Sequence, residues 1–313
     1  MSTLVSTSDL IKELPTVRGN LQTNVPLANY TWFRTGGNAE ILFTPEDPDD
    51  LVNFLNHCSQ KTPFTVIGLG SNVLIRDGGI AGVVIQISRR LGSVRVQGSD
   101  LIVGAGAADA KVSRIAAGAG VSGLEFLNGV PGSIGGAIRM NAGAFGQEVS
   151  EVLISATIVD EKGTIRTQNS DAFCFGYRKS TLPSNNVIVE ARLRGKMGVP
   201  FEILQRMKRV ANDRMTSPPI KMRTGGSTFT NPPGQTAWRL IDRAGCRGLK
   251  LGGARVSEKH CNFIINTGNA TSADIEDLGN EVRRRVFDEP GVLLSWEIQI
   301  FGCPNSLGQA VTE

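Results

Sequence analysis

The sequence predicts an α+β fold, with two small lobes followed by a third α+β region. Three observations carry that prediction. Short β-branched runs recur around helix-period segments up to about residue 197. Two of those runs are joined by an acidic-Lys-Gly tip of hairpin character. Beyond them, three helix-period segments lead to one strictly alternating strand.

In chain order, Thr44–Lys61 (TPEDPDDLVNFLNHCSQK) opens with proline and acids and then places Leu51, Leu55 and Cys58 at helical spacing. Acids in a first turn complement the helix dipole, so a helix is expected there. PFTVIGLGSN and GVVIQI follow as strands and complete a lobe over 22–91. DLIVGAGAADAKVSRIAAGAG reads as a strand, a glycine turn and a small-residue helix around Ala108–Ala117. EVLISATIVDEKGTIRTQ reads as a hairpin with Glu161-Lys162-Gly163 at its tip, and NVIVEARL as a further strand closing a second lobe over 92–197.

KMGVP reads as a joint, and 198–303 as a separate domain. Helices are expected over Phe201–Met215, Thr236–Ala244 and Ser272–Phe287. The last presents Ile275, Leu278, Val282 and Val286 on one face, with Thr271 or Ser272 as its cap. GVLLSWEIQIF then reads as a strand. Val292, Leu294, Trp296, Ile298 and Ile300 share one face, while Ser295, Glu297 and Gln299 point the other way. Residues 1–21 and 304–313 read as tails.

The bulk composition of the 313 residues, 40% hydrophobic and 20% charged, is that of a globular protein. No apolar run approaches the roughly 20 residues of a membrane-spanning helix. The N-terminal MSTLVSTSDLIKELP lacks the basic flank and apolar block of a secretory signal. Both points favour the cytoplasm. Cys58, Cys174, Cys246, Cys261 and Cys303 are odd in number, and none pair at CxxC spacing. They read as small buried hydrophobes rather than disulfides or zinc ligands. His57 and His260 lie far from any Cys or acid cluster, so no metal is expected.

The net charge of +4 is unevenly placed, because 201–260 holds twelve Lys or Arg against four Asp or Glu. Such a segment suits an anionic ligand. Arg206, Lys208, Arg209 and Arg214 read more simply as a solvated helix face. With few aromatics and no reader motif there, nucleic acid is not expected as a partner.

The chemistry concentrates in two glycine loops. VIGLGSNVLI runs from a strand into Gly68-x-Gly70, then Ser71 and Asn72. A GxGxxG dinucleotide fingerprint fails here, since Val73 takes the third glycine position and no helix-long pattern follows. Taken alone, the loop reads equally as a pyrophosphate cradle of bare amides or as a plain tight turn. GVPGSIGGAIRMNAGAFG (129–146) holds six glycines, and glycine loses the most freedom on folding. Here Pro131-Gly132 forces a turn, and Ser133-Ile134-Gly135-Gly136 is expected to aim amides outward at a helix start. Two such loops fit a ligand with two phosphates and a flat aromatic group. Close packing between lobes is the competing explanation.

TWFRTGGNAE, IGLGSNVLI, GVPGSIGGAIRMNAGAFG, FGYRKS, GGSTFTNP, AWRLIDRAG, VSEKHCNFIIN and GVLLSWEI together resemble, in order, the motifs of the UDP-N-acetylenolpyruvoylglucosamine reductase family, over roughly residues 25–302. The resemblance implies a two-lobed FAD-binding domain of the vanillyl-alcohol-oxidase (PCMH) type, followed by a C-terminal α+β substrate domain. It implies non-covalent FAD, with NADPH as co-substrate. Gly68, Gly70, Ser71, Asn72 and Val73 would then contact FAD, as would Gly132, Ser133, Gly135, Gly136, Ala137 and Asn141. Tyr177, Asn231, His260 and Asn262 would contact the UDP-sugar.

In such enzymes hydride passes from NADPH to FAD, and then from flavin N5 to the enolpyruvyl methylene carbon. Arg178 in FGYRKS matches the arginine that binds the enolpyruvyl carboxylate, a task suited to a permanently charged fork. Ser227 in GGSTFTNP matches the proton donor. Glu297 matches a third catalytic group near the same carboxylate, where a neighbouring negative charge would raise its pKa. On residue chemistry alone, these three read as a surface ion pair, a turn residue and an exposed strand carboxylate.

The passage from YRKS straight into NVIVEARL resembles the shorter class, which lacks an inserted tyrosine loop. Thr230 stands where the family usually has lysine. A monomer acting on a small UDP-sugar is expected, without membrane or nucleic-acid partners. The competing readings are another oxidoreductase of the same FAD superfamily and a non-catalytic nucleotide-binding module.

Overall fold

The computed structural model describes residues 7–58, 62–216, 219, 222–289 and 291–305. The chain forms two compact units. One comprises Met1–Asn24, Glu40–Leu69 and Gly82–Asp213; the other comprises Val25–Ala39, Gly70–Ala81 and Arg214–Glu313. The joint expected at 197/198 is thus not where the second unit begins. Helix Pro200–Thr216 lies mostly in the first unit because Ile203 and Met207 bury against Ala117 there.

The first unit carries a four-stranded sheet in the order Asn20–Pro26, Asn38–Thr44, Ile80–Gln86, Phe64–Ile67, the last two parallel. The helix expected in Thr44–Lys61 spans Pro48–His57. Asp47 caps it by accepting from the Asp50 amide at 2.9 Å, and Leu51, Phe54 and Leu55 form its buried face.

A second, five-stranded sheet runs Ile165–Asn169, Leu153–Val159, Val187–Arg194, Asp100–Gly104, Val94–Gln97, antiparallel throughout. The expected hairpin is its first pair. Asp160 Oδ1 accepts from the amides of Lys162 and Thr164, which closes the Glu161-Lys162-Gly163 tip. The small-residue helix spans Asp109–Gly118. The expected N-terminal tail contains a helix, Thr7–Glu13, beyond which Leu14 joins Leu10 and Ile11 against the core of this unit.

In the second unit, helix Ser272–Asp288 starts at a capping box in which Thr271 Oγ1 accepts from the Asp274 amide at 3.0 Å. Its face Ile275, Leu278, Val282 and Val286 is fully buried with Phe229, Ile241 and Ile264. The closing strand is shorter than expected. Burial alternates as anticipated, with Leu294 and Ile298 inside, but ladder pairing is confined to Gln299–Phe301, parallel to Val73–Ile75. Val73 therefore begins a strand, and no helix follows the first glycine loop.

Two cysteines depart from expectation: Cys246 and Cys261 are buried, whereas Cys174 and Cys303 are exposed. Among the described residues, no helix is long and apolar enough to cross a membrane.

Candidate active site

In the first unit, the strand Phe64–Ile67 delivers Gly68 beside the second glycine loop. A Cβ on Gly68 would lie 2.9 Å from Ser133 Oγ, so the two loops that sequence kept apart by more than sixty positions meet there. Ser133 is buried and precedes the short helix Ile134–Arg139, whose first helical bond runs from the Ala137 amide to the Ser133 carbonyl. Gly135 packs so closely that an added Cβ would lie 3.0 Å from Ala105 Cβ.

The expectation that amides at this helix start all aim outward is corrected. Ile134 N–H donates to Ala107 at 3.0 Å and Gly135 N–H to Ala105 at 2.9 Å, while the Gly132 carbonyl accepts from Asp109. Part of the glycine-rich stretch is thus used for close packing, the competing explanation. Ser133 and Gly136 are the positions whose amides are not engaged in this way among the described residues.

Asn141, expected to contact FAD, braces the glycine loop from within. It is buried in a left-handed conformation at φ 41°. Its amide donates to Glu148 Oε2 at 2.8 Å and to the Gly176 carbonyl at 3.1 Å, and its oxygen accepts from Ser150 at 2.9 Å. That bracket fixes Glu148, whose Oε1 lies 3.4 Å from Arg178 Nη1. Arg178 also donates from Nη2 to the Gly143 carbonyl at 2.9 Å, and its guanidinium sits 5.0 Å from the centroid of the Tyr177 ring. Arg178 is therefore a largely buried, oriented fork rather than a surface ion pair. Sequence reasoning missed Glu148; its signal was the first acid after an acid-free glycine stretch.

In the second unit, Gly70 has φ 66° and an added Cβ would meet the Tyr30 carbonyl oxygen at 1.9 Å. Here the turn and the packing both demand glycine. Ser71 is buried, and Asn72 lies at the mouth of the parallel strand pair. Its side-chain amide donates to the Glu297 carbonyl at 3.0 Å, and its own carbonyl accepts from the Gln299 amide at 3.0 Å.

Ser227 follows Gly225, whose missing Cβ would lie 2.4 Å from the Phe33 ring, and Gly226 at φ 84°. The next residues are clamped on two sides. The Asn262 carbonyl accepts from Thr228 N–H at 2.8 Å and its Oδ1 from Phe229 N–H at 3.0 Å, and its side-chain amide donates to the Phe229 carbonyl at 2.7 Å. On the other side, the Glu297 amide donates to the Thr228 carbonyl at 2.9 Å and Thr230 N–H to Ser295 at 3.0 Å, with Phe229 bridged to Trp296. Ser227 and Glu297, seventy positions apart, are thus held on neighbouring backbone segments.

Asn262 is expected to touch substrate, yet the fold uses its side chain as a strut. Asn231 accepts from the Ala237 amide at 2.9 Å at the start of the helix Ala237–Arg243. His260 lies between Trp238 and Phe263, and burial lowers its pKa, which keeps the ring neutral. Thr230 Oγ1 turns back to the Ser295 carbonyl at 3.4 Å.

The positive segment is partly neutralised within each unit. Arg206 pairs with buried Glu125 at 3.0 Å and bonds Ser122, so it is not the solvated cation expected. Arg243, Arg247 and Arg255 pair with Glu289, Asp242 and Glu258. The Arg214 side chain lies outside the described residues.

Two family models match different parts of the chain. Residues 39–169 match the model of an FAD binding domain, and 218–301 match the C-terminal domain of UDP-N-acetylenolpyruvoylglucosamine reductase. A protein of that name from Paramagnetospirillum magneticum is 52% identical over 295 residues, covering 94% of this chain and 96% of the relative. Another from Parvibaculum lavamentivorans is 50% identical over 305 residues, covering 97% and 98%. The crystal structure of the reductase from Thermus caldophilus superposes with a TM-score of 0.79 at 35% identity, covering 92% of this chain and all of that one.

Proposed function

The chain belongs to the UDP-N-acetylenolpyruvoylglucosamine reductase family, and from that premise we propose how its own residues carry the reaction. Members are FAD-dependent oxidoreductases of peptidoglycan precursor synthesis, with the PCMH-type FAD domain and a C-terminal α+β domain. The reaction converts the enolpyruvyl ether of UDP-N-acetylglucosamine into UDP-N-acetylmuramate. FAD, when bound, supplies the hydride for the methylene carbon after receiving it from NADPH.

The residues present fit that cofactor, because Gly68 opens directly onto Ser133 and a side chain there would close the gap between the loops. Gly68, Gly70, Ser71 and Val73 on one loop would hold FAD with Gly132, Ser133, Gly135, Gly136 and Ala137 on the other. At the second loop the amides of Ser133 and Gly136 suit a pyrophosphate, while Gly132, Gly135 and Ala137 allow close backbone approach.

Hydride arrival leaves negative charge on the neighbouring carbon and its carboxylate. Arg178, oriented by Gly143, Glu148 and the Tyr177 ring, forks onto that carboxylate and disperses the charge. Ser227 donates the proton to the carbon; a hydroxyl is a weak acid, so fixed geometry must compensate. Glu297 hydrogen-bonds the same carboxylate region. Tyr177, Asn231 and neutral His260 contact the rest of the UDP-sugar, while Asn262 and Asn141 act by positioning. A monomer performs this in the cytoplasm.

The observation that carries the reading is the main-chain bond from Glu297 to Thr228, which sets the carboxylate's segment against that of Ser227. Incubating purified protein with FAD, NADPH and the enolpyruvyl UDP-sugar tests it. UDP-N-acetylmuramate should form in step with NADPH loss. NADPH loss with the sugar unchanged would contradict the assignment.

A further inference from the structure

The Asn72 side chain lies in a loop assigned to the cofactor, yet it bonds the backbone of a catalytic position. Its amide donates to the Glu297 carbonyl at 3.0 Å, and its own carbonyl accepts from the Gln299 amide at 3.0 Å. Glu297 is gripped from the opposite direction by the Thr228 carbonyl at 2.9 Å. On its N-terminal side the loop is anchored as well. Gly70 sits in a left-handed turn against the Tyr30 carbonyl, and the Gly70 carbonyl accepts from Trp32 at 2.9 Å. The loop Gly70–Asn72 is therefore a short rigid bar with Glu297 tied to its end. Only Ser71 and Asn72 separate the Gly70 turn from strand Val73–Ile75, which leaves little slack to absorb motion.

We propose that Asn72 is a positioning residue for Glu297, and that through it occupancy of the cofactor loop fixes the catalytic carboxylate. This deepens the role assigned above to Glu297 and rests on it. One Asn72 side-chain N–H is thus spent on Glu297 rather than on the pyrophosphate. Asn72→Asp keeps the side chain's shape but replaces the donor with an acceptor facing a carbonyl. Loss of that bond would loosen the Glu297 carbonyl on the Asn72 side while the Thr228 bond remains.

Two readouts test the link on flavin-loaded protein, with retained flavin as the check of folding. The first is hydrogen exchange of the segment 292–301 with and without FAD. Protection of that segment by FAD should be seen in the parent chain and be lost or at least halved in Asn72→Asp. The second is the flavin reoxidation rate with the UDP-sugar in Asn72→Asp, Glu297→Gln and the double variant.

Each single change should slow reoxidation tenfold or more, and the double variant should be no slower than Glu297→Gln. Multiplying losses in the double variant, or unchanged protection in Asn72→Asp, would overturn the link and leave the Glu297 assignment standing. A parent-like rate for Glu297→Gln would overturn that assignment and the link with it. Should Asn72→Asp not retain flavin, Asn72→Ser enters the same two measurements with the same deciding outcomes.

Discussion

Gly68 and Gly70 sit two positions apart and are glycine for different reasons. At Gly70 the backbone has φ 66° and faces the Tyr30 carbonyl at 1.9 Å from any added Cβ, so Gly70→Ala strains the fold itself. At Gly68 the nearest obstacle is the Ser133 hydroxyl at 2.9 Å, which a rotation of that side chain relieves. Gly70→Ala should therefore lower the melting temperature of the flavin-free protein, by an amount matching about 1–3 kcal/mol. Gly68→Ala should leave that temperature nearly unchanged while weakening flavin binding about tenfold, read by flavin fluorescence titration. Equal melting temperatures for the two variants would contradict this division. The two glycines were conspicuous in the sequence, but which one serves the fold was not. The Tyr30 carbonyl comes from a distant turn, and no local pattern announces it. The same limit hid the posts of Asn141, Asn262 and Asn72, each decided by partners far along the chain.

Helix Ser272–Asp288 carries Gly279 in its interior, where alanine would be favoured by about 1 kcal/mol on propensity alone. The Trp296 ring decides otherwise, because a Cβ at 279 would lie 2.0 Å from its edge. Overpacking against this half-buried ring costs about 1–3 kcal/mol, so Gly279→Ala should destabilise the protein in chemical denaturation despite its gain in propensity. A stabilised variant would show that the ring has room to move.

Strands Asp100–Gly104 and Val187–Arg194 meet with Arg194 directly opposite Asp100, and Arg192 on the same face. Both guanidiniums hydrogen-bond the Asp100 carboxylate, Arg194 foremost, and hold its pKa at about 2. The unfolded value is about 3.9, so the folded value is the lower one. The stabilisation is complete above that pH and is lost as pH falls toward 2. Asp100→Asn should cost about 1–3 kcal/mol near neutrality, with the two unfolding curves converging near pH 2. A difference independent of pH would remove the ion pairs from the explanation. Elements of this kind were legible wherever periodicity was local, as in Pro48–His57, the hairpin and the buried face of the last helix. The final strand was overread because alternation reports burial, as at Leu294 and Ile298, whereas ladder pairing depends on a partner that only Gln299–Phe301 meets.

Across the whole chain, the family relationship spans both units, and the chain crosses between them several times. Neither His57 nor His260 belongs to either glycine loop, so neither loop carries an imidazole for a covalent link. Heat or acid should therefore release all flavin into the filtrate; flavin retained on the unfolded chain would contradict non-covalent binding. The central claim is that three side chains, Arg178, Ser227 and Glu297, serve the transfer to substrate and not the loading of the flavin. Stopped-flow absorbance on Ser227→Ala tests it most directly. Reduction by NADPH should match the parent rate, while reoxidation by the enolpyruvyl UDP-sugar should fall by about a hundredfold to a thousandfold, the scale for losing one transition-state donor. Equal slowing of both steps, or reoxidation at the parent rate, would contradict it.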